Sequence, residues 1–235
     1  MDDLRAPLSD AKIALYDAFA GTGKALGNGT RLELLDLLAQ GDRNVDALAR
    51  AVGAGVTTTS AHLQVLKRAG LVNSRRDGVQ MLYRLSGPDV AHLLALLRRV
   101  ADAHRAEVTR ARNDYLRPDA ATHGTRSIDD LVRDLGGDIE ASAPHCTVLD
   151  VRPREEYLAG HIPGAVSIPV DELAARVSDL PDDAEVVVYC RGEYCAFAYD
   201  AVRILADAGR RGVRLADGML EWRLAEHPVE FGAAS

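Results

Sequence analysis

The sequence predicts two domains: a mainly-α domain carrying a β-hairpin, then an α/β domain built on a parallel sheet. Three observations carry this reading. The chain has 235 residues, which suits two domains of ordinary size better than one. Up to residue 117, apolar residues recur at helical spacing and are interrupted by one strand–turn–strand pattern. From residue 127, short β-branched runs alternate with helical stretches, which implies parallel strands with helices on both faces. The expected organisation is a first domain over 1–117, a linker over 118–126 and a second domain over 127–235.

Charge divides the chain in the same way. The formal net charge is −7, which by itself argues against a nucleic-acid partner. Residues 1–118 nevertheless carry 17 Lys and Arg against 13 Asp and Glu, whereas residues 119–235 carry 11 against 22. Phosphates repel the acidic half and not the first. No apolar run approaches the roughly 20 residues of a membrane span. Met1-Asp2-Asp3-Leu4-Arg5 lacks the basic and apolar regions of a signal peptide, so a cytoplasmic protein with no membrane partner is expected. Its three cysteines all lie in the second half, an odd number and too few for a disulfide scaffold; thiols are expected, with any disulfide transient.

The first domain opens with an amphipathic helix over 8–26, with Leu8, Ile13, Leu15, Tyr16, Phe19 and Leu26 near one side. Gly27-Asn28-Gly29 breaks it. Thr30, with Glu33 three residues on, makes a capping box for a helix through Ala39. Asn44 caps a short helix over 45–52, and Gly53-Ala54-Gly55 turns into another over 57–69 that Gly70 stops. The runs 71–76 and 79–85, joined at Asp77-Gly78, read as a β-hairpin. After Pro88 one long helix runs towards Tyr115, with Val90, Leu93, Leu94, Leu96, Leu97, Val100 and Val108 on its apolar side.

Three helices followed by a basic hairpin make a winged helix-turn-helix. Residues 28–116 resemble the ArsR-type family of bacterial repressors, on Arg31-Leu32-Glu33-Leu34-Leu35, Val45-Asp46-Ala47-Leu48-Ala49, Ser60-Ala61-His62-Leu63-Gln64-Val65-Leu66, Ala69-Gly70-Leu71-Val72 and Tyr83-Arg84-Leu85. A double-stranded operator is the expected partner. Thr57, Thr58, Thr59, Ser60, His62 and Gln64 give the 57–69 helix short hydrogen-bonding groups at the end that meets base edges. Lys67 and Arg68, with Arg75, Arg76 and Arg84 on the wing, suit phosphate. The resemblance implies a homodimer formed through the first and last helices. Many relatives sense metal. Here the 45–52 helix has no cysteine, and Asp89, His92, His104 and Glu107 do not keep the family spacing, so no metal site is expected.

In the second domain, Ser127 caps a helix over 128–135, and strands are expected at 146–151, before Pro169, at 186–189 and at 212–215. Val186-Val187-Val188-Tyr189 runs into Cys190, and Arg191-Gly192-Glu193-Tyr194-Cys195 leads into a helix ending near Ala208. A cysteine between a strand end and a helix N-terminus sits where backbone N–H groups and the helix dipole favour an anion, which lowers its pKa. Together with Asp150-Val151-Arg152 and Gly160-His161-Ile162-Pro163-Gly164-Ala165, this stretch resembles a rhodanese (sulfurtransferase) domain over about 127–225. The resemblance implies a persulfide on Cys190, a small sulfur donor and a thiol acceptor, with no other cofactor. Asp150 and Arg152 are expected to support the loop, and His161 and Pro163 to serve the turn.

A phosphatase or arsenate reductase on this fold needs Cys-x₅-Arg, but position 196 is Ala, so oxyanion chemistry of that kind is disfavoured. Glu193 makes the loop less cationic than one tuned to thiosulfate, and Arg191 partly compensates, so persulfide or polysulfide donors stay open beside thiosulfate. Cys195 has two open readings, a helix-start thiol or a resolving cysteine for Cys190. Cys146 reads as a strand-start residue. Together these features point to a DNA-binding regulator that senses reactive sulfur or redox state. The alternative is a sulfurtransferase enzyme with an accessory DNA-binding domain. No residue visible in the sequence links the two halves.

Overall fold

The computed structural model describes residues 10–117, 124–136, 146–182 and 184–232. Two compact units, Met1–Ala95 and Leu96–Ser235, divide the chain. That division lies upstream of the stretch read as a linker. Residues 118–123 of the stretch lie outside the described residues, as do Leu8 and His145; Thr125 and Arg126, also assigned to it, form a strand.

In the first unit the order is α1 (Asp10–Leu26), α2 (Gly29–Gln40), β1 (Arg43–Asn44), α3 (Val45–Ala51), α4 (Val56–Arg68), β2 (Val72–Asp77), β3 (Gln80–Leu85) and the start of α5 (Pro88–His104). Asn28, not Thr30, caps α2: its extended backbone lets Oδ1 accept from Arg31 N at 3.1 Å, which satisfies a donor the helix leaves unpaired. Asn44 caps α3 by accepting from Ala47 N at 2.8 Å. Leu34, Leu35, Leu48, Leu63, Leu66, Val72, Val90 and Leu94 form one core. Each such side chain contributes about 2 kcal/mol on burial. The hairpin loop is Gly78-Val79, one residue later than Asp77-Gly78, because Asp77 pairs with Gln80; Gly78 takes φ 58° at the first loop position, as a type II′ turn requires. A third strand the sequence did not announce, β1, pairs antiparallel with β3, so the sheet runs β1-β3-β2.

The single long helix expected after Pro88 is two helices. Arg105 adopts an extended backbone (φ −130°, ψ 102°), and α6 (Ala106–Leu116) begins after it. Arg112 Nη1 then lies 2.8 Å from Asp102 Oδ2. In an unbroken helix those residues stand about 15 Å apart along the axis, too far for a direct pair.

The rest of the second unit is α/β. Its order is β4 (Thr125–Arg126), α7 (Ile128–Gly136), β5 (Cys146–Asp150), α8 (Arg154–Leu158), β6 (Val166–Ser167), α9 (Val170–Arg176), β7 (Glu185–Tyr189), α10 (Ala196–Asp207), β8 (Gly212–Leu215) and α11 (Met219–Leu224). Ser127 caps α7 as expected, its Oγ accepting from Asp130 N at 3.1 Å. The five strands are ordered β4-β8-β7-β5-β6, and every pair is parallel. Central β7 shows why the sequence reads as a continuous apolar run. Val186 and Val188 enter a core with Leu149, Ala201 and Leu205, while Val187 and Tyr189 enter another with Leu131, Met219 and Trp222. A strand covered on both faces has no polar side to show. Among the described residues no helix is long and apolar enough to cross a membrane.

Candidate functional site

The cysteine loop begins where β7 ends. Tyr189 and Cys190 are buried, and Cys195 is the N-cap of α10, which starts at Ala196. Cys190 and Cys195 are joined by a disulfide, with their Cα atoms 6.2 Å apart. Cys195 is thus both the helix-start residue and the bonded partner of Cys190, and the four intervening residues form a closed loop.

Backbone contacts from α11 hold that loop. Met219 N donates to Cys190 O and Leu220 N to Arg191 O, each at 2.9 Å. Gly218 makes this approach possible: a Cβ there would lie 2.4 Å from Gly192 N and 2.6 Å from Cys190 O, both backbone atoms that cannot swing away. Gly192 faces the Glu221 carboxylate, with Oε2 3.1 Å from where its Cβ would be. Glu221 accepts from Gly218 N at 3.0 Å. Burial pushes its pKa up to about 7, helped by the charge of Asp217 and opposed by the hydrogen bonds and by Arg98.

Arg191 points away from any free role as a cation for a donor. Its Nε and Nη2 grip Glu156 at 2.9 and 2.6 Å, and Glu156 is buried. Asp150 and Arg152, both fully buried, form a second pair: Arg152 Nη2 donates to Asp150 Oδ2 at 2.6 Å and to Gly160 O at 2.9 Å. The Tyr189 hydroxyl donates to Asp150 Oδ2 at 2.5 Å, so this pair anchors the residue immediately before Cys190. Burial alone would lower the Arg152 pKa; the charge and hydrogen bonds of Asp150 raise it above its ordinary value. His161 stacks on Tyr157 with ring centres 3.7 Å apart, which fits a packing role in the turn. Cys146, the first residue of β5, is a buried free thiol whose pKa is raised by burial.

The other candidate residues lie in the first unit. Thr57, Thr58 and Gln64 are exposed on α4 and Ser60 and His62 half-exposed, with Lys67 and Arg68 exposed at its end. Thr59 departs from the expectation. It is fully buried, because it shares the inward face of α4 with Leu63 and Leu66, and its Oγ1 has no hydrogen-bond partner among the described residues. A base edge cannot reach it. On the wing, Arg76 and Arg84 are exposed, and Arg75 is partly engaged, its Nε 3.0 Å from Asp42 Oδ2. Lys67 Nζ donates to Ser74 Oγ at 2.7 Å, tying the recognition helix to the wing. His92 Nδ1 sits 2.9 Å from Pro88 O and Glu107 pairs with Arg105; among the described residues no three His, Cys, Asp or Glu side chains cluster as a metal site.

Sequence reasoning missed Glu156, Glu221 and Tyr189 as loop partners. Only the Glu three residues after Gly218 carried a local signal, as a capping position.

Both halves of the chain match known families by sequence. Residues 28–74 match the bacterial regulatory protein, arsR family, and residues 132–225 match the rhodanese-like domain. The chain is 54% identical over 226 residues to the HTH-type transcriptional regulator Rv0324 of Mycobacterium tuberculosis, covering 96% of each. It is 34% identical over 83 residues to a sulfurtransferase of Allochromatium vinosum, covering 35% of this chain and 76% of that one. A solved homodimeric winged helix-turn-helix DNA-binding fragment from Mycobacterium bovis, described as a possible ArsR-family regulator, is 54% identical; the match covers 44% of this chain and 95% of that one, with a TM-score of 0.40. With its recognition helix and wing followed by a rhodanese-like sheet and loop, the chain belongs to the ArsR family of DNA-binding transcriptional regulators, in the form that carries a rhodanese domain.

Proposed function

We propose that this regulator binds an operator as a homodimeric repressor in the cytoplasm, and that Cys190 carries sulfur as a persulfide whose state sets DNA affinity. The observation that carries the sulfur half is the bond between Cys190 and Cys195, which puts a resolving thiol within reach of the persulfide site. A hydropersulfide or polysulfide first transfers its outer sulfur to the Cys190 thiolate and leaves as the thiol or shortened polysulfide. The Cys195 thiolate then attacks the inner sulfur of that persulfide. The Cys190 S–S bond breaks, hydrosulfide leaves with its electron pair, and the Cys190–Cys195 disulfide forms. Two equivalents of a cellular thiol reduce the bridge and restore both thiols. Because Arg191 is already matched by Glu156, persulfide and polysulfide donors are as well supported as thiosulfate.

The DNA half rests on exposed Thr57, Thr58 and Gln64 and half-exposed Ser60 and His62 for base edges, with Lys67, Arg68, Arg75, Arg76 and Arg84 for phosphates. Ile13, Leu15, Tyr16 and Phe19 on α1, and Leu96 and Val100 on α5, are large exposed apolar residues suited to a two-fold dimer. The second reading, a sulfurtransferase with an accessory DNA-binding domain, draws support from the rhodanese-like match and from the similarity to a sulfurtransferase.

One experiment separates the two readings. Operator-fragment binding is followed by fluorescence anisotropy on reduced and on polysulfide-treated protein, with intact-mass analysis of both. A gain of about 32 Da, or a loss of about 2 Da for the bridge, that vanishes in Cys190→Ser and accompanies an affinity change of about tenfold or more supports the regulator. The same adduct with unchanged affinity rejects sulfur sensing and leaves the sulfurtransferase reading.

A further inference from the structure

Two of the four residues inside the Cys190–Cys195 loop, Glu193 and Tyr194, are held by arginines from outside the α/β sheet. Arg112 on α6 places Nη1 3.8 Å from Glu193 Oε1 and 2.8 Å from Asp102 Oδ2. Burial raises the pKa of Tyr194, and the nearby charge of Arg112 opposes that rise. Arg98, in the second half of α5, sets its guanidinium 5.8 Å from the centre of the Tyr194 ring, and its charge is also felt by Glu221, which faces Gly192 of the loop. α6 packs against α10, the helix that Cys195 caps, and Arg203 on α10 donates to Arg117 O at the end of α6 at 3.3 Å. Arg98, Asp102, Arg112 and the whole loop belong to the second unit.

Three features set these contacts apart from ordinary surface pairing. Arg98, Asp102 and Arg112 lie between the segments that match the two families, 28–74 and 132–225, so neither family core accounts for them. The contact of Arg112 with Asp102 depends on the break at Arg105. Finally, Arg98 and Asp102 continue a four-residue series along α5 that begins with Val90 and Leu94, both buried in the first core. A single helix therefore carries core residues of the DNA-binding unit at one end and the grip on the cysteine loop at the other.

We propose that Arg98 and Arg112 form a clasp that reads the covalent state of the cysteine loop through Tyr194 and Glu193 and passes it to α5. The proposal rests on the sulfur-responsive reading above and supplies the link that reading lacks. With the bridge closed, the loop ends are pinned and Glu193 and Tyr194 are presented to the two arginines. Reduction by two thiols breaks the S–S bond, delivers two electrons and two protons so that each sulfur becomes a thiol, and leaves the two reducing thiols joined as their own disulfide. The four intervening residues then regain backbone freedom and the clasp loses its fixed target. A contact made in one state and weakened in the other is the differential interaction that coupling requires.

The test uses full-length protein and the operator fragment. Wild type, Arg98→Gln and Arg112→Gln are each measured reduced and polysulfide-treated, with intact mass confirming the cysteine state and circular dichroism the fold. Both variants are expected to reach the same sulfur adducts as wild type while the ratio of the two operator Kd values falls from about tenfold to within about twofold. The double variant Arg112→Glu/Glu193→Arg, which reverses the pair, is expected to recover part of the ratio. If wild type itself shows no ratio, the sulfur-responsive reading fails. If wild type responds and both folded variants respond equally, the clasp is overturned and the sulfur-responsive reading stands. Hydrogen exchange on wild type gives a readout independent of any variant: reduction is expected to speed exchange over 98–116, and unchanged exchange there overturns the clasp.

Discussion

The recognition helix and the cysteine loop place function on opposite kinds of ground. α4 buries Leu63 and Leu66 together with Thr59 and leaves its other polar residues towards solvent, so its candidate contacts lie on a surface whose position the helix period dictates. The cysteine loop is set among buried groups. Cys190 is buried, its carbonyl is bonded to α11, and buried side chains hold its surroundings: Asp150 pairs with Arg152 two residues on, and Glu156 with Arg191 thirty-five residues on. A surface site tolerates losing one contact among many, whereas a buried one depends on every member.

That contrast can be tested by substitution, beginning with the largest effect. Cys190→Ser is expected to abolish the sulfur adduct and the polysulfide-dependent change in operator affinity altogether, as read by intact mass and anisotropy; a persisting adduct would move the chemistry to Cys195 or Cys146. Next comes Gly218→Ala, whose Cβ would meet the Gly192 and Cys190 backbone, and which is expected to cost about 3 kcal/mol in chemical denaturation. An unchanged midpoint would show that α11 can retreat without loss.

The buried carboxylate gives a smaller, pH-dependent effect. The folded pKa of Glu221, about 7, lies above its ordinary 4.5, so the stability it contributes is complete below about pH 4.5 and is lost as pH rises through 7. Unfolding measured from pH 5 to 8 is expected to show a decline of about 2 kcal/mol that Glu221→Gln removes. A decline that persists in the variant would assign it to another group.

The smallest effects belong to the exposed face. Thr58→Ala is expected to weaken operator binding by about 1 kcal/mol, whereas Thr59→Val, at a buried position, leaves affinity unchanged. Arg76→Gln or Arg84→Gln is expected to weaken binding on all DNA sequences alike and to reduce the salt slope by about 1 each. A sequence-dependent loss at Arg84 would make it a base reader instead.

These two regions were also unequally legible. Leu63, Leu66 and the polar start of α4 follow from periodicity, as do β7 and the cysteine that ends it. Thr59 was misread because the polar run 57–60 conceals one inward position, which the core and not the residue type selects. Asn28 won the cap of α2 over Thr30 because its backbone is extended where the helix begins. Arg105 carries no breaker signal; tertiary contacts such as Arg112 with Asp102 favour the break against helix propensity.

By itself the sequence determined most of the helices and strands, the parallel character of the second sheet, the placement of Cys190 at a strand end and the division into a DNA-binding and a rhodanese-like half. The elements follow from local periodicity and turn chemistry, and the character of each half from the resemblance of short motifs to known families; each of these signals is carried by a few residues. The tertiary structure decided what surrounds the loop: Glu156 on Arg191, Gly218 against Gly192, Tyr189 on Asp150, and Arg98 and Arg112 on Tyr194 and Glu193. Such partners lie tens of residues apart, and only the folding of sheet and helices brings them within the few ångströms over which hydrogen bonds and ion pairs act.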